Sequence, residues 1–166
     1  MQDIRLAWQG LGNLSEIGVL VRTQERPAKM TVFSMDVQVC FGDCDPVGIV
    51  YYPNFYVWID RCFHAFVRER LGGHAGLCRD LGAQGLGLME ARMTFRSPAR
   101  EGDKLMLEIA TIDWADKSFT LTYRAHVGAR LVFEASETRG VFLRRDDGRL
   151  GAAKVAGLKA RMGSVL

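Results

Sequence analysis

Two aspartates, Asp43 and Asp45, stand in the acidic turn Phe41-Gly42-Asp43-Cys44-Asp45-Pro46-Val47-Gly48, just ahead of Ile49-Val50-Tyr51-Tyr52-Pro53-Asn54-Phe55, where an amphipathic helix opens. A carboxylate beside the unpaired backbone N–H groups of a helix N-terminus joins a base or nucleophile to an anion-stabilising site. That pairing suits attack on a carbonyl, with an amide taking up the charge that develops on its oxygen. The plain alternative is an Asp-Pro turn whose side chain only caps neighbouring amides. A calcium loop is a third reading. It fails at Val47 and Asn54, the fifth and twelfth positions of the pattern, the twelfth calling for a bidentate Glu. No metal site is expected.

The elements that must hold this turn are legible on either side of it. Residues 31–40 alternate, with Val32, Phe33, Val37 and Val39 as the apolar members, and read as a strand leading into a loop over 43–52. Pro53 suits the first turn of a helix. Phe55, Trp58, Ile59, Cys62, Phe63, Phe66, Val67 and Leu71 then recur at three- and four-residue steps until Gly72-Gly73 stops the helix. Its broad apolar face must lie on a sheet. A helical turn over 75–81 precedes strand-like runs at 86–95, 104–114, 119–127 and 131–143, separated by short turn sequences. Consecutive strands joined by short turns make an antiparallel meander, and one long helix ahead of them gives an α+β layer architecture. Residues 151–162 read as a short basic C-terminal helix lying on the surface. Residues 1–29 read as an N-terminal extension, either a disordered arm or a start site placed too far upstream, ahead of a single domain over 30–166.

Length and composition narrow the function classes. A chain of 166 residues with 48% hydrophobic content supports one domain with a real core. A net charge of +3 is too small to announce nucleic acid and is compatible with an anionic ligand. No apolar run approaches the roughly 20 residues that cross a bilayer, and the N-terminus is not patterned as a signal peptide, so the expected address is the cytoplasm with no membrane partner. Cys40, Cys44, Cys62 and Cys78 form no C-x-x-C pair and read as reduced, mostly buried thiols.

The run Asp43-Cys44-Asp45-Pro46-Val47-Gly48-Ile49-Val50-Tyr51-Tyr52-Pro53-Asn54 resembles the active-site segment of the 4-hydroxybenzoyl-CoA thioesterase family. The resemblance is dense over 41–60 and thinner over 113–119. It implies a hotdog fold, a curled antiparallel β-sheet wrapped around a long central helix. It also implies that Asp45 is the nucleophile or general base at a thioester carbonyl and that the Tyr52 backbone N–H is the oxyanion donor. The Tyr51 and Tyr52 rings are read as packing residues. By the same resemblance Asp60 meets a polar substituent of the acyl group. A helix ion pair with His64, one turn away, or with Arg61 is an equally good reading of that residue. Leu86, Gly87 and Leu88 are expected to line the acyl pocket, with glycine letting a flat acyl group approach the backbone. Lys117 and Ser118, with Arg144 and Arg145, are expected at the nucleotide end of CoA. Here the sequence departs from the family, because two arginine positions are Ala115 and Asp116, which removes phosphate donors and adds a negative charge.

The sequence therefore predicts an acyl-CoA thioesterase acting on an aromatic, 4-hydroxybenzoyl-like, or short-chain acyl-CoA, with no cofactor beyond the CoA carried by the substrate. A poorly resonance-stabilised thioester needs only a positioned carboxylate and an oxyanion site. A single curled sheet leaves its edges open, and the family pairs sheets edge to edge, so a homodimer or homotetramer is expected. Two alternatives stand beside this reading. One is a non-catalytic acyl-CoA or acyl-carrier binding module, and the other is an enoyl-CoA hydratase on the same fold. The chain has no Gly-x-Ser-x-Gly elbow of a serine hydrolase.

Overall fold

The central helix, α1 (Pro53–Leu71), has the bounds that its sequence punctuation predicts. Pro53 begins it, and Gly72 closes it at φ 76°, in the left-handed conformation that a side chain disfavours. The computed structural model describes residues 31–163, so the expected N-terminal extension lies outside the described residues. Strands β1 (Phe33–Gln38), β2 (Gly85–Phe95), β3 (Lys104–Trp114), β4 (Phe119–Val127), β5 (Arg130–Arg144) and β6 (Leu150–Ala153) form one sheet. Its order is β1-β3-β4-β5-β2, with β6 added to β5, and every pairing is antiparallel. Register shifts in the β2–β5, β3–β4 and β4–β5 ladders bend the strands, as bulges do. The sheet curls round α1, the arrangement that the resemblance implies. Phe33, Phe133 and Phe119 of the sheet meet Phe66, Phe55 and Phe63 of the helix at ring-centroid distances of 5.9, 5.1 and 6.3 Å.

Four expectations need correction. The four runs do not make one meander, because β2 lies beside β5 and only β3, β4 and β5 pair consecutively. The connection after α1 holds a two-turn helix, α2 (His74–Leu81), where one turn was expected. Residues 151–162 do not form one surface helix. β5 runs past the end of β4, and the free edge this leaves is taken by β6, with Leu143 opposite Gly151. Only then does α3 (Ala156–Gly163) begin, and its Leu158 and Met162 are fully buried in the core. The cysteines divide evenly: Cys62 and Cys78 are buried, whereas Cys40 is exposed and Cys44 half-buried. Burial, reinforced by the nearby Glu137 carboxylate, pushes the Cys62 thiol up to about 12 and so removes its thiolate chemistry.

Gly87 has a packing reason. A Cβ built there would lie 2.7 Å from a ring carbon of Phe142, which covers the strand at that point. Gly85, two residues earlier, meets nothing within 4 Å. Gly87→Ala is therefore expected to destabilise the protein by about 1–3 kcal/mol through overpacking, read as a lower urea midpoint. Gly85→Ala is expected to be neutral or stabilising in the same titration. Equal effects would show that the ring does not set the requirement.

Candidate active site

The loop ahead of α1 is held by its own backbone. The Asp43 carbonyl accepts the Tyr51 N–H at 2.8 Å and the Asn54 side-chain amide at 2.9 Å, while the Asp43 carboxylate accepts the Cys40 N–H at 2.8 Å. Asp43 is thus a structural carboxylate. Asp45 bonds Ile49 and Gly48 through its backbone, and its Oδ1 accepts the Val47 N–H at 2.8 Å. The capping turn considered from sequence is real, yet it uses only one carboxylate oxygen. Oδ2 has no partner among the described residues.

At the helix mouth the amides are unequal. Pro53 has none, Asn54 donates to the Tyr51 carbonyl at 2.9 Å, and Phe55 donates to the Tyr52 carbonyl at 3.2 Å. The Tyr52 N–H finds no partner among the described residues, and no acidic side chain occupies the first turn. An unpaired donor at the positive end of a 19-residue helix is an anion-stabilising group. The rings correct an expectation, because Tyr51 and Tyr52 are not packed into the core. Both are about half exposed and touch each other edge-on at 5.4 Å.

Two adjoining cavities flank this turn. One, of about 540 Å³, is lined by Phe41, Cys44, Asp45, Pro46, Gly48, Arg100 and Glu101. The other, of about 590 Å³, takes in Tyr52 and a mainly apolar wall including Val50, Phe55, Phe95 and Ala99. Arg100 lines both and donates to the Gly48 carbonyl at 3.2 Å. Nothing in the sequence singled it out.

The remaining candidates gather around the middle of α1. Asp60 lies eight residues beyond Tyr52, about 12 Å along the helix axis. Its Oδ1 accepts from Arg139 Nη2 at 2.7 Å and stands 3.7 Å from His64 Nε2. In the ladder Arg139 lies opposite Leu88 on one side and Phe119 on the other. The Lys117–Ser118 turn reaches the same region, where a Cβ at Gly140 would lie 3.3 Å from the Lys117 carbonyl oxygen. Leu86 is buried and Leu88 half exposed. Asp60, Leu86, Gly87, Leu88, Lys117 and Ser118 thus form one group beside the middle of α1, apart from Asp45 and Tyr52 at its mouth. Along β2, Leu88 is about 23 Å from Phe95, which borders the Tyr52 cavity.

Sequence reading missed the buried charges that organise this second group. Among the described residues only Glu137 and Arg139 are buried and charged, each 2% exposed. Glu137 Oε2 accepts from Tyr123 Oη at 2.9 Å and from Arg139 Nε at 3.0 Å, and the guanidinium lies 4.0 Å from the Phe63 ring centroid. Burial alone would lower the Arg139 pKa, but Glu137 and Asp60 override it and hold the guanidinium firmly cationic. The signal was present: Phe133, Ala135, Glu137, Arg139 and Val141 fall on the inward positions of one alternating strand. Beside them His74 Nε2 accepts the Leu86 N–H at 3.3 Å, and its ring meets His64 edge-on at 5.4 Å. No group of three or more His, Cys, Asp or Glu among the described residues is placed to hold a metal ion.

His74 gives a pH-dependent prediction. Burial first, then the charges of His64 and Arg139, push its pKa below the ordinary 6.5, and only the neutral ring can accept the Leu86 amide. The unfolded chain therefore binds the proton first. The stability this contributes is complete above about pH 6.5 and is lost as pH falls through the folded-state value. Urea midpoints between pH 8 and pH 5 should fall in the wild type. His74→Gln should flatten that slope, and an unchanged slope would assign it to other groups.

The chain matches a family model described as the thioesterase-like superfamily over residues 39–160. It is 32% identical over 128 residues to the 4-hydroxybenzoyl-CoA thioesterase of Pseudomonas sp. strain CBS-3, a match covering 74% of this chain and 90% of that protein. The solved structure of 4-hydroxybenzoyl-CoA thioesterase from that strain superposes with a TM-score of 0.66 at 27% identity, covering 78% of this chain and 96% of the other. A gentisyl-coenzyme A thioesterase superposes with a TM-score of 0.63 at 28% identity, covering 76% and 98%. The 1,4-dihydroxy-2-naphthoyl-CoA thioesterase from Synechocystis, at 20% identity and a TM-score of 0.68 over 80% of this chain and 96% of its own, shares the fold.

Proposed function

The chain belongs to the thioesterase-like superfamily and has its hotdog fold, and from that premise we propose that it hydrolyses an aromatic acyl-CoA to the free acid and CoA. The observation that carries the reading is the pairing of a singly capped Asp45 carboxylate with an unpartnered Tyr52 N–H at the mouth of α1. Asp45 acts as nucleophile or general base at the thioester carbonyl. The Tyr52 amide takes up the charge on the carbonyl oxygen, an effect typically worth about 3–4 kcal/mol in the transition state. The carbon–sulfur bond breaks and CoA leaves as the thiol, while water supplies the hydroxyl of the acid and the proton of the thiol. The named substrates of the similar enzymes, 4-hydroxybenzoyl-CoA and gentisyl-CoA, favour a hydroxylated aroyl group here. Asp60 would accept a hydrogen bond from its hydroxyl, Leu86, Gly87 and Leu88 would line the acyl pocket, and Lys117 and Ser118 would meet the nucleotide end. The chemistry asks for no separate cofactor. Among the described residues no helix is long and apolar enough to cross a membrane, and a cytoplasmic address accords with a CoA substrate.

The two separate groups of candidate residues point to a shared site. β2 is an 11-residue sheet edge that leaves Leu88, Met89 and Phe95 about half exposed. Antiparallel pairing of β2 with β2 of a second copy would bring the Leu88 end of one chain alongside the Phe95 end of the other. Asp60 of one protomer would then face the Asp45 and Tyr52 of its partner. A dimer, or a tetramer built from such dimers, is the assembly proposed.

The test is free-thiol release from aroyl-, short-chain and long-chain acyl-CoA by wild type and Asp45→Asn. Aroyl substrates should be hydrolysed fastest, and the variant should lose about 10²–10⁴-fold in kcat. Binding without turnover on every substrate would favour the acyl-CoA-binding module instead.

A further inference from the structure

Arg139 is a costly residue to keep where it is. Its side chain is 3% exposed, and removing an ionised group from water is unfavourable unless its hydrogen bonds are replaced. Glu137 supplies the counter-charge, and Tyr123 Oη donates to the same carboxylate oxygen that Arg139 Nε meets, so the pair is anchored within the sheet. The bond to Asp60 is additional. It leaves the core and ends on a carboxylate whose side chain is 52% exposed. Oδ1 of Asp60 is engaged by Arg139 at 2.7 Å, and Oδ2 has no partner among the described residues. A short charge-assisted bond from a buried guanidinium, itself fixed by Glu137 and the Phe63 ring, removes the freedom of an otherwise mobile surface side chain. What it leaves is one oriented acceptor at the Leu88 end of β2.

We propose that Arg139, held by Glu137 and Tyr123, is a positioning residue that aims the free oxygen of Asp60 at a hydrogen-bond donor on the acyl group, and so selects hydroxylated over unsubstituted aroyl thioesters. This rests on the reading of Asp60 as an acyl-group contact. The guanidinium touches neither the thioester nor the nucleophile and acts through Asp60 alone. A carboxylate fixed in this way discriminates because the favoured substrate satisfies it, while the unsubstituted one leaves an oriented acceptor without a donor.

The experiment compares kcat/KM for 4-hydroxybenzoyl-CoA and benzoyl-CoA and follows their ratio, which a loss of folded protein leaves unmoved. Asp60→Asn and Arg139→Lys should each lower the ratio about 10- to 100-fold, the range expected for one hydrogen bond to a charged group. The double variant should fall no further than either single one. A wild-type ratio in Arg139→Lys beside a lowered ratio in Asp60→Asn overturns the proposal, as does independent addition of the two effects. Should Arg139→Lys fail to fold, Tyr123→Phe removes a single hydroxyl from the relay and should lower the ratio about threefold, and an unchanged ratio is equally fatal. If the wild type releases thiol from neither substrate, the thioesterase reading falls by itself. The ratio of dissociation constants for the same two thioesters, measured calorimetrically on the same variants, then decides the role of Arg139.

Discussion

One carbonyl oxygen, that of Asp43, carries the geometry at the mouth of α1. By accepting both the Tyr51 N–H and the Asn54 side chain it closes the acidic loop onto the helix and fixes where helical hydrogen bonding begins. Because Tyr51 is thereby drawn back to Asp43, the first helical amides that find acceptors are those of Asn54 and Phe55, and Pro53 has no amide to offer. The unpaired donor is left at Tyr52, beside the turn that holds Asp45. Neither feature needs a special side chain at position 52. Two half-exposed rings can therefore sit at the helix mouth, because what position 52 leaves unpaired there is a backbone amide.

The middle of α1 is organised by charge in place of backbone closure. Burying Arg139 and Glu137 together under Phe63 spends folding free energy that apolar residues of similar volume would return. The pair also constrains its surroundings. Burial, and secondarily Glu137, raise the Tyr123 phenol well above its ordinary range, keeping it a neutral donor, and Cys62 is rendered inert by the same two influences. His74, lowered by burial and by the positive charges nearby, remains an acceptor for the first amides of β2. The buried pair thus bears on the protonation of Tyr123, Cys62 and His74 as well as on its own charges.

The sequence declared its local structure well. Pro53 and Gly72 bound α1 because each has a backbone preference that acts without tertiary help. The spans of β3 and β4 were legible because the strands are half-buried and alternate between turn residues. What escaped reading depends on contacts distant in sequence. Gly87 answers to Phe142, β6 answers to the overhang of β5, and Arg139 answers to Asp60 seventy-nine residues earlier. The sorting of the eight candidate site residues into two groups is of the same kind, since spacing along a chain does not reveal which part of a helix a later strand will reach. Glu137 and Arg139 are the instructive case. Their inward register was readable, but without a partner in view two charges on a buried face looked like surface residues out of place.

The turn between β3 and β4 shows what takes the place of the family pattern at 115 and 116. Asp116 stands where the resembling segment carries an arginine, and its carbonyl accepts the Val155 N–H at 3.0 Å while its carboxylate faces Lys154 at 4.0 Å. The turn has been given over to docking the segment that joins β6 to α3. That segment in turn delivers Leu158 and Met162 into the core. Arg144 bonds the Gly148 carbonyl at 2.8 Å and Arg145 packs over Gly151, so both arginines brace the hairpin that leads into β6. Two arginines at 115 and 116 would compete with Lys154 for this corner. In our reading the anchoring of the C-terminal segment has displaced the phosphate donors, leaving Lys117 as the exposed cation of the turn.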